Sequence, residues 1–223
     1  MILGGSRYAM PVIEAAHELG IYVITCDYLP NNIAHKYSDE YCNVSIIDKE
    51  ATLKAAQELK IDGIMSFACD PGVITAAYVA EEMGLTNVGP YESVCILQNK
   101  KRFREFLTNN GFNVPVAKGY TDVKDALKDV DLFNWPVIVK PTDSAGSKGV
   151  KKVENPQDLE SSIEYALSYS HSHEFIIEDY LTQKGYSSDT DSFSIDGDLK
   201  VVTFNCQRFD ANAENPYTPS AYS

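Results

Sequence analysis

The residues most suited to chemistry are two lysines in and beside a loop of small residues that follows an apolar run. Lys140 ends an apolar run that begins at Pro136, and a loop of small residues follows it. A lysine at the end of a buried strand is costly without an anionic partner, so we expect it to face a cleft. Glycines and small side chains let backbone amides approach phosphate oxygens and let the loop move. The pattern predicts a polyphosphate site at Lys140 and the loop residues Ser144, Ala145, Gly146, Ser147, Lys148 and Gly149, with an ordinary mobile hairpin loop as the alternative.

A second apolar run, Phe175–Ile177, ends at Glu178 and passes into Asp179, Tyr180 and Leu181. An extended hinge of this kind offers a backbone carbonyl and amide to a purine edge, and a glutamate can accept a hydrogen bond from an exocyclic amino group. With the lysine loop, it indicates ATP chemistry. The loop is not a Walker-type P-loop, because the Gly-x-x-x-x-Gly-Lys-Ser/Thr pattern does not occur.

The bulk composition excludes several classes of protein. The chain has 223 residues, 44% of them hydrophobic, and it has no apolar stretch of the roughly 18 residues that a membrane helix needs. Five scattered cysteines argue against a disulfide framework and a zinc site. The scattered cysteines and the lack of a signal-peptide pattern together predict a cytoplasmic protein. A net charge of −13 disfavours nucleic-acid and anionic-membrane partners.

The pattern of elements predicts an α/β protein built from two kinds of unit. The first ninety or so residues alternate strand and helix patterns, with strands at 2–3, 21–26, 43–46 and 61–67, and this is typical of a doubly wound parallel sheet. An unbroken helix is predicted for 91–110. Strands at 114–116, 136–140, 150–153 and 174–178 then alternate with helices at 122–130 and 156–169. A hairpin follows, with strands 192–195 and 200–204 joined at Asp196-Gly197, and residues 210–223 show no apolar period.

The turn after the first strand raises a different possibility. Gly4 and Gly5 follow that strand, and Asp27 ends the next one at a distance that suits a ribose hydroxyl. NAD binding is therefore an alternative. It is the weaker one, because the full Gly-x-Gly-x-x-Gly spacing is missing and a tight strand-to-helix turn explains the glycines equally well.

Four motifs in order resemble the ATP-grasp superfamily. They are Asn99-Lys100 opening a helix that ends at Gly111, then Val114-Pro115, then Pro136–Pro141 with its Ser/Gly loop, then Ile177-Glu178-x-Tyr180-Leu181. The first ninety residues resemble the domain that precedes the grasp in biotin carboxylase and in the large chain of carbamoyl-phosphate synthetase. The resemblance implies a pre-ATP-grasp domain (1–92), a helical linker (93–113), an α+β lid subdomain (114–181) and the incomplete start of the second grasp subdomain (182–223).

The resemblance also implies a role for each matching residue. Lys100 and Lys140 correspond to the two lysines that reach the ATP phosphates, and residues 144–149 to the loop that folds over them. Glu178 corresponds to the acid near the adenine amino group, with backbone contacts from Asp179 and Leu181. Asp189 and Asp191 are both candidates for the ribose acid. The Mg²⁺ ligands are expected beyond residue 223, and no catalytic residue is assigned.

The implied activity is that of an ATP-dependent ligase. A small-molecule carboxylate would attack the γ-phosphate, and an amine or thiol would capture the acyl phosphate. Because the expected metal ligands are missing, we expect these 223 residues to be an inactive N-terminal portion of such an enzyme. A non-catalytic nucleotide-binding or assembly module is the alternative. The acceptor and the nucleophile are not identified, and homo-oligomerisation is left open.

Overall fold

The computed structural model describes residues 1–86, 89–182, 184–185, 187–213 and 215–223. The chain divides into two compact units, Met1–Phe103 and Arg104–Ser223. No helix in the described ranges is long and apolar enough to cross a bilayer. The finer division of the chain into four parts stays a prediction.

The first unit is built on a four-stranded parallel sheet in the order β3-β2-β1-β4. Its strands are β1 (Ile2–Leu3), β2 (Ile24–Cys26), β3 (Glu40–Cys42) and β4 (Met65–Ser66). Its helices are α1 (Met10–Glu18), α2 (Lys49–Glu58), α3 (Asp70–Met83) and α4 (Tyr91–Gln98), with 3-10 turns at Arg7–Ala9 and Ile33–Lys36. Helix α5 (Lys100–Asn109) begins in this unit and ends in the second.

Helices cover both faces of this sheet, which confirms the doubly wound architecture. Successive strand residues point to opposite faces, and the two residues of β1 accordingly belong to different cores. Leu3 is fully buried in the core formed with α2 and α3. Ile2 is buried in the core that includes Ala9 and Ile13, next to and within α1.

Local capping defines where several helices begin and end. Asp48 accepts a hydrogen bond from Ala51 N (3.0 Å) at the start of α2, and Asp122 caps the start of the helix at Val123 in the same way through Lys124 N (2.7 Å). These side-chain acceptors satisfy amides that have no partner within the helix. Gly84 ends α3 in the left-handed conformation, which glycine adopts without strain.

Two predictions for the first unit are wrong. The third strand is Glu40–Cys42 rather than 43–46, because the chain turns immediately after Cys42, where Val44 N bonds back to Cys42 O (3.2 Å). The helix predicted over 91–110 is broken at Asn99. Its backbone is extended (φ −97°, ψ 114°), and its side chain accepts from Arg102 N (3.1 Å) as the cap of a new helix, α5.

The second unit contains a four-stranded antiparallel sheet in the order β5-β8-β6-β7. Its strands are β5 (Ala117–Tyr120), β6 (Val137–Pro141), β7 (Lys151–Val153) and β8 (Phe175–Asp179). Two helices accompany it, α6 (Val123–Lys128) and α7 (Leu159–Leu167), with 3-10 turns at Val130–Leu132 and Pro156–Asp158. The order of elements is as predicted, but the strand predicted at 114–116 is wrong, because the first strand of this unit is Ala117–Tyr120, where it pairs with β8.

One face of this sheet forms the hydrophobic core of the second unit. Val137 and Val139 of β6 are fully buried there with Ile177 of β8, and Ile163 of α7 packs in the same cluster. Because side chains alternate along a strand, the residues between them on β6 and β8 belong to the opposite face. That opposite face carries the polar side chains described below.

A separate three-stranded antiparallel sheet, in the order β11-β10-β9, completes the second unit. Its strands are β9 (Ser187–Ile195), β10 (Asp198–Phe209) and β11 (Pro219–Tyr222). The predicted turn is confirmed, since Asp196 (φ 51°) and Gly197 (φ 83°) both take the positive φ of a tight hairpin. The segment 210–223, which shows no apolar period, nevertheless contains β11, which pairs with Gln207–Phe209.

Candidate functional site

Neighbouring strands of the second unit bring the predicted lysine and glutamate together. Ile138 of β6 lies opposite both Glu178 of β8 and Lys152 of β7, and Lys140 lies opposite Ile176. Directly opposed residues of antiparallel strands point to the same side of a sheet. The face away from α7 therefore carries all five of these side chains.

The carboxylate of Glu178 is held between two cations. Lys140 Nζ lies 2.6 Å from Glu178 Oε1. Arg104 of α5 donates to the other oxygen, Oε2, from both Nε (3.2 Å) and Nη2 (3.0 Å). The glutamate side chain is only 5% exposed, whereas those of Lys140 and Arg104 are 18% and 25% exposed. The acid is thus sequestered while the two cations keep some contact with solvent.

These cations determine the charge of the glutamate. Burial of the carboxyl by itself raises the pKa of Glu178, but the positive charges of Lys140 and then Arg104 outweigh it, so the pKa lies below its ordinary value. Opposite charges at this distance favour the ionised form. Glu178 is consequently an anion at neutral pH and an acceptor at both oxygens.

The loop after β6, residues 144–149, has the backbone that its composition predicts. Gly146 (φ 66°), Ser147 (φ 57°) and Gly149 (φ 73°) all take positive φ. A side chain at Gly149 is disfavoured for two reasons. Its φ is in the left-handed region, and an added Cβ would lie 3.0 Å from Pro141 Cδ. Lys148 is exposed at the loop.

Side-chain hydrogen bonds hold this loop at several points. Ser147 Oγ donates to Tyr217 O (2.9 Å), and Asn215 Nδ2 donates to Ser147 O (2.9 Å). Ser144 Oγ donates to Tyr169 O, two residues after α7. Residues 215–217 lie about 70 positions further along the chain, so sequence patterns gave no indication of these contacts.

The segment after β8 is tied into its own unit. Asp179 accepts from Asn134 through both carboxylate oxygens (2.9 and 2.7 Å), and its backbone N–H donates to Val116 O (2.9 Å). Tyr180 N donates to Pro136 O (3.1 Å). Leu181 is 67% exposed. The Asp179 side chain is therefore a structural acceptor, and its predicted backbone contact with a ligand stays a prediction.

The other predicted residues are placed as follows. Lys100 is the first residue of α5 and lies in the first unit, whereas Lys140, Glu178 and the loop lie in the second. Asp189 and Asp191 lie two residues apart on β9, opposite Asn205 and Thr203 of β10. Their positions do not select either as the ribose acid.

Arg104 is the site residue that sequence reasoning missed. It belongs to the basic cluster that opens α5, where only Lys100 was given a role. A signal was present, because residues four apart on a helix lie on the same face. The sequence gave no indication that its partner would be Glu178, 74 positions further along the chain.

The glycine turn of the first unit does not favour a dinucleotide. Asp27 is 7% exposed and accepts from Gly5 N (2.9 Å), Leu29 N (3.0 Å) and Asn32 Nδ2 (3.1 Å). A Cβ at Gly5 would lie 2.4 Å from the His35 ring. The acid and the glycine thus serve the packing of this turn.

In the part of the chain that the structure describes, no three His, Cys, Asp or Glu side chains are grouped so that they could hold a metal ion. The expectation that the metal ligands lie beyond residue 223 stays a prediction.

Comparison with known proteins gives one family over more than half of the chain. Residues 97–222 match the ATP-grasp domain family. The formate-dependent phosphoribosylglycinamide formyltransferase of Synechococcus sp. (strain WH7803) is 26% identical over 184 residues, which are 81% of this chain and 47% of that protein. The carbamoyl phosphate synthase large chain of Pseudothermotoga lettingae is 27% identical over 171 residues, which are 76% of this chain and 16% of that protein.

A solved structure agrees in fold. The N5-carboxyaminoimidazole synthetase of Staphylococcus aureus, complexed with ADP, superposes with a TM-score of 0.72 at 20% identity, over 94% of this chain and 54% of that one. The chain spans about half the length of the formyltransferase and of this synthetase.

Proposed function

This chain belongs to the ATP-grasp family, and from that premise we propose that its second unit binds ATP for a ligase that joins a carboxylate to an amine or a thiol. The observation that carries the proposal is the arrangement of Lys140, Glu178 and the loop 144–149 on adjoining elements of one sheet. One relative is named a formate-dependent phosphoribosylglycinamide formyltransferase. Formate is a carboxylate, and this name agrees with the proposal that the substrates are a carboxylate and an amine.

The chain's own residues would hold the two ends of the nucleotide. The Lys140 ammonium, now on Glu178 Oε1, would move to the phosphates, where it meets a higher negative charge. The small residues of the loop would bring backbone amides to the same oxygens. The Glu178 carboxylate would accept a hydrogen bond from the adenine amino group. We further propose that Lys100 reaches the phosphates from α5.

The chemistry proposed for the whole enzyme is a two-step acyl transfer. A carboxylate oxygen attacks the γ-phosphorus, the new O–P bond forms, and the bond to the β-phosphate oxygen breaks to release ADP. The amine or thiol then attacks the acyl carbon, loses its proton, and expels inorganic phosphate. Protein groups contribute by positioning and by neutralising charge, and a closed loop would keep water from the acyl phosphate. Mg²⁺ bound together with ATP would supply further neutralisation of the phosphate charge.

Replacing Lys140 tests the binding part of the proposal. A charge-assisted hydrogen bond contributes about 1.5–3 kcal/mol, so Lys140→Met is expected to weaken ATP binding by roughly 10- to 100-fold. Isothermal titration calorimetry of the purified 223-residue chain measures the affinity.

Lys151→Met is the matched control. Lys151 lies on β7 of the same sheet, is exposed, and contacts the Tyr165 ring (4.6 Å) rather than Glu178. Its replacement is expected to leave ATP affinity within about twofold, as for most exposed substitutions. Equal affinities for the Lys140 variant and this control would refute the assignment of Lys140.

Turnover separates the ligase from the alternative of a nucleotide-binding or assembly module. ATP binding without carboxylate-dependent release of ADP from the chain agrees with the prediction that the 223 residues are not competent alone. Robust magnesium-dependent turnover would contradict that prediction. If a full-length form that contains additional metal ligands also bound ATP without turnover, the module would be favoured.

A further inference from the structure

Arg104 shares the Glu178 carboxylate with Lys140 but has no role in the proposed function. Arg104 donates two hydrogen bonds to Oε2, while Lys140 contacts Oε1. We propose that Arg104 is a positioning residue for the nucleotide base: it keeps Glu178 ionised and fixed in orientation when Lys140 moves to the phosphates, so that Oε1 can accept from the amino group of adenine. The inference rests on the proposed function.

The distribution of hydrogen bonds supports this division between the two oxygens. A carboxylate has about four lone-pair positions, two on each oxygen. The guanidinium directs two N–H groups at Oε2 (3.2 and 3.0 Å), so that oxygen is saturated by Arg104. Oε1 is contacted by the Lys140 ammonium (2.6 Å), which can move on a flexible side chain. Only Oε1 therefore becomes available to a ligand when the lysine leaves.

Burial explains why a second cation is needed. The Glu178 side chain is 5% exposed, and an isolated carboxylate in such a place is strongly disfavoured and tends to take up a proton. Among the described residues, the charged side chains placed against it are Lys140 from β6 and Arg104 from α5, while β5 places Ala117 opposite it. If Lys140 transfers to the phosphates, Arg104 is the cation that stays.

The type and position of the residue suit this role. A guanidinium keeps its charge and is a rigid planar fork, so two N–H groups on one oxygen also fix the rotation of the carboxyl group. Arg104 lies within α5, where its backbone carbonyl also accepts from Thr108 Oγ1 (2.9 Å). The backbone of Arg104 is thus fixed by the helix and not by the loop 144–149.

The consequence is selectivity for the base. An ionised, oriented acceptor favours a purine with an amino group at position 6, as in ATP, and repels one with a carbonyl oxygen there, as in inosine triphosphate. Sites that bond a specific substrate group discriminate strongly against analogues that lack it. Removal of Arg104 should therefore reduce the preference for ATP over inosine triphosphate, and not merely weaken both.

The test compares Arg104→Gln, Arg104→Lys and Arg102→Gln in the whole 223-residue chain. Arg102 is two residues earlier on the same helix and pairs with Glu92 rather than Glu178, so its variant is the matched control. Dissociation constants for ATP and inosine triphosphate are measured by calorimetry, and folding is checked by the fluorescence of Trp135.

The expected result is a change in the ratio of the two constants. Loss of charge-assisted hydrogen bonds should weaken ATP binding by about tenfold or more in Arg104→Gln. Inosine triphosphate binding should change by less than about threefold. Its carbonyl oxygen is repelled by the Glu178 carboxylate, and this repulsion decreases when Glu178 is less ionised. Arg104→Lys keeps the charge but not the fork and should restore part of the ratio, while Arg102→Gln should match the wild type.

The other possible results distinguish an error in the role of Arg104 from an error in the proposed function. Equal weakening of both nucleotides by Arg104→Gln would indicate a general structural effect and would overturn the inference while leaving the proposed function standing. Failure of the wild-type chain to bind ATP would reject the proposed function, and the role of Arg104 with it. If Arg104→Gln does not fold, an unchanged nucleotide ratio in Arg104→Lys would overturn the claim that the fork orients Glu178.

Discussion

The substitution Glu178→Gln should destabilise the second unit strongly. Glutamine keeps the size of the side chain and one acceptor oxygen, but it leaves the cations of Lys140 and Arg104 without their shared anion. Removing one partner of a buried ion pair typically costs about 3–5 kcal/mol. Because the two cations here are 18% and 25% exposed and can be partly solvated, we expect the lower end, about 3 kcal/mol.

The difference in unfolding free energy between the wild type and Glu178→Gln should become smaller at acid pH. The pKa of Glu178 is lower in the folded protein than its ordinary value, since Lys140 and Arg104 outweigh the effect of burial. A depressed pKa means that the carboxylate's stabilisation is fully present above the unfolded-state pKa, about 4.3 for glutamate. It is lost as the pH falls through the lower folded-state pKa. The difference between wild type and variant should be constant from pH 7 to about 5.5 and shrink below about pH 4.3.

The only tryptophan in the sequence provides the assay. Trp135 packs against the core of the second unit, and its Nε1 donates to Val130 O (3.0 Å), so its fluorescence reports the unfolding of that unit. With a urea slope of about 1–3 kcal/mol/M, a loss of about 3 kcal/mol lowers the midpoint by about 1–3 M. Other carboxylates titrate in both proteins, so their contributions cancel in the difference.

Glu154→Gln is the control for this measurement. Glu154 pairs with Lys152 (2.8 Å) but is 61% exposed, and exposed pairs contribute about 0–1 kcal/mol. Its replacement should change the midpoint little at any pH. A Glu178→Gln effect no larger than that of this control, or one that does not change below pH 4.3, would show that the buried carboxylate is not stabilised by its two cations.

Three further predictions concern the strand end and loop beside Lys140. Thr142→Val should stabilise by about 1 kcal/mol in urea unfolding, because Oγ1 is fully buried without a hydrogen-bond partner among the described residues; destabilisation would indicate a bound water. Gly149→Ala should cost about 2 kcal/mol or more in the same assay, since φ is 73° and the new Cβ would lie 3.0 Å from Pro141 Cδ. Asn215→Ala removes the bond to Ser147 O (2.9 Å) and should speed tryptic cleavage after Lys148 about fivefold; an unchanged rate would mean that this bond does not restrain the loop.

The sequence predicted the elements whose signals are local. Strands β6 and β8 were found because their apolar runs are short, buried and bounded by turn residues, and the hairpin at Asp196-Gly197 was found because few residue pairs tolerate two positive φ values. The sequence was insufficient where a tertiary partner decided the structure. Strand β3 is defined by its register against Ile24–Cys26, and β11 forms against Gln207–Phe209 although its sequence has no apolar period.

The break at Asn99 shows a second kind of failure. Apolar periodicity continues from α4 into α5, so the pattern alone predicts one helix. Asparagine, however, can satisfy the amide of Arg102 with its own side chain (3.1 Å), which stabilises a new helix start. Asparagine is known to compete in this way with the helix backbone, so the sequence did contain a signal for the break. The prediction followed the helical periodicity instead.

By itself, the sequence determined that a lysine and a flexible loop follow one buried strand and that a glutamate ends another, because burial patterns and turn preferences depend on neighbouring residues. It also determined the family, through the order of those motifs. Only the tertiary structure decided that Lys140 and Arg104 would share one carboxylate, and that Asn215 would hold the loop at Ser147. A side chain's type limits which partners it can accept, but strand pairing and register decide which of them it meets across 70 residues or more.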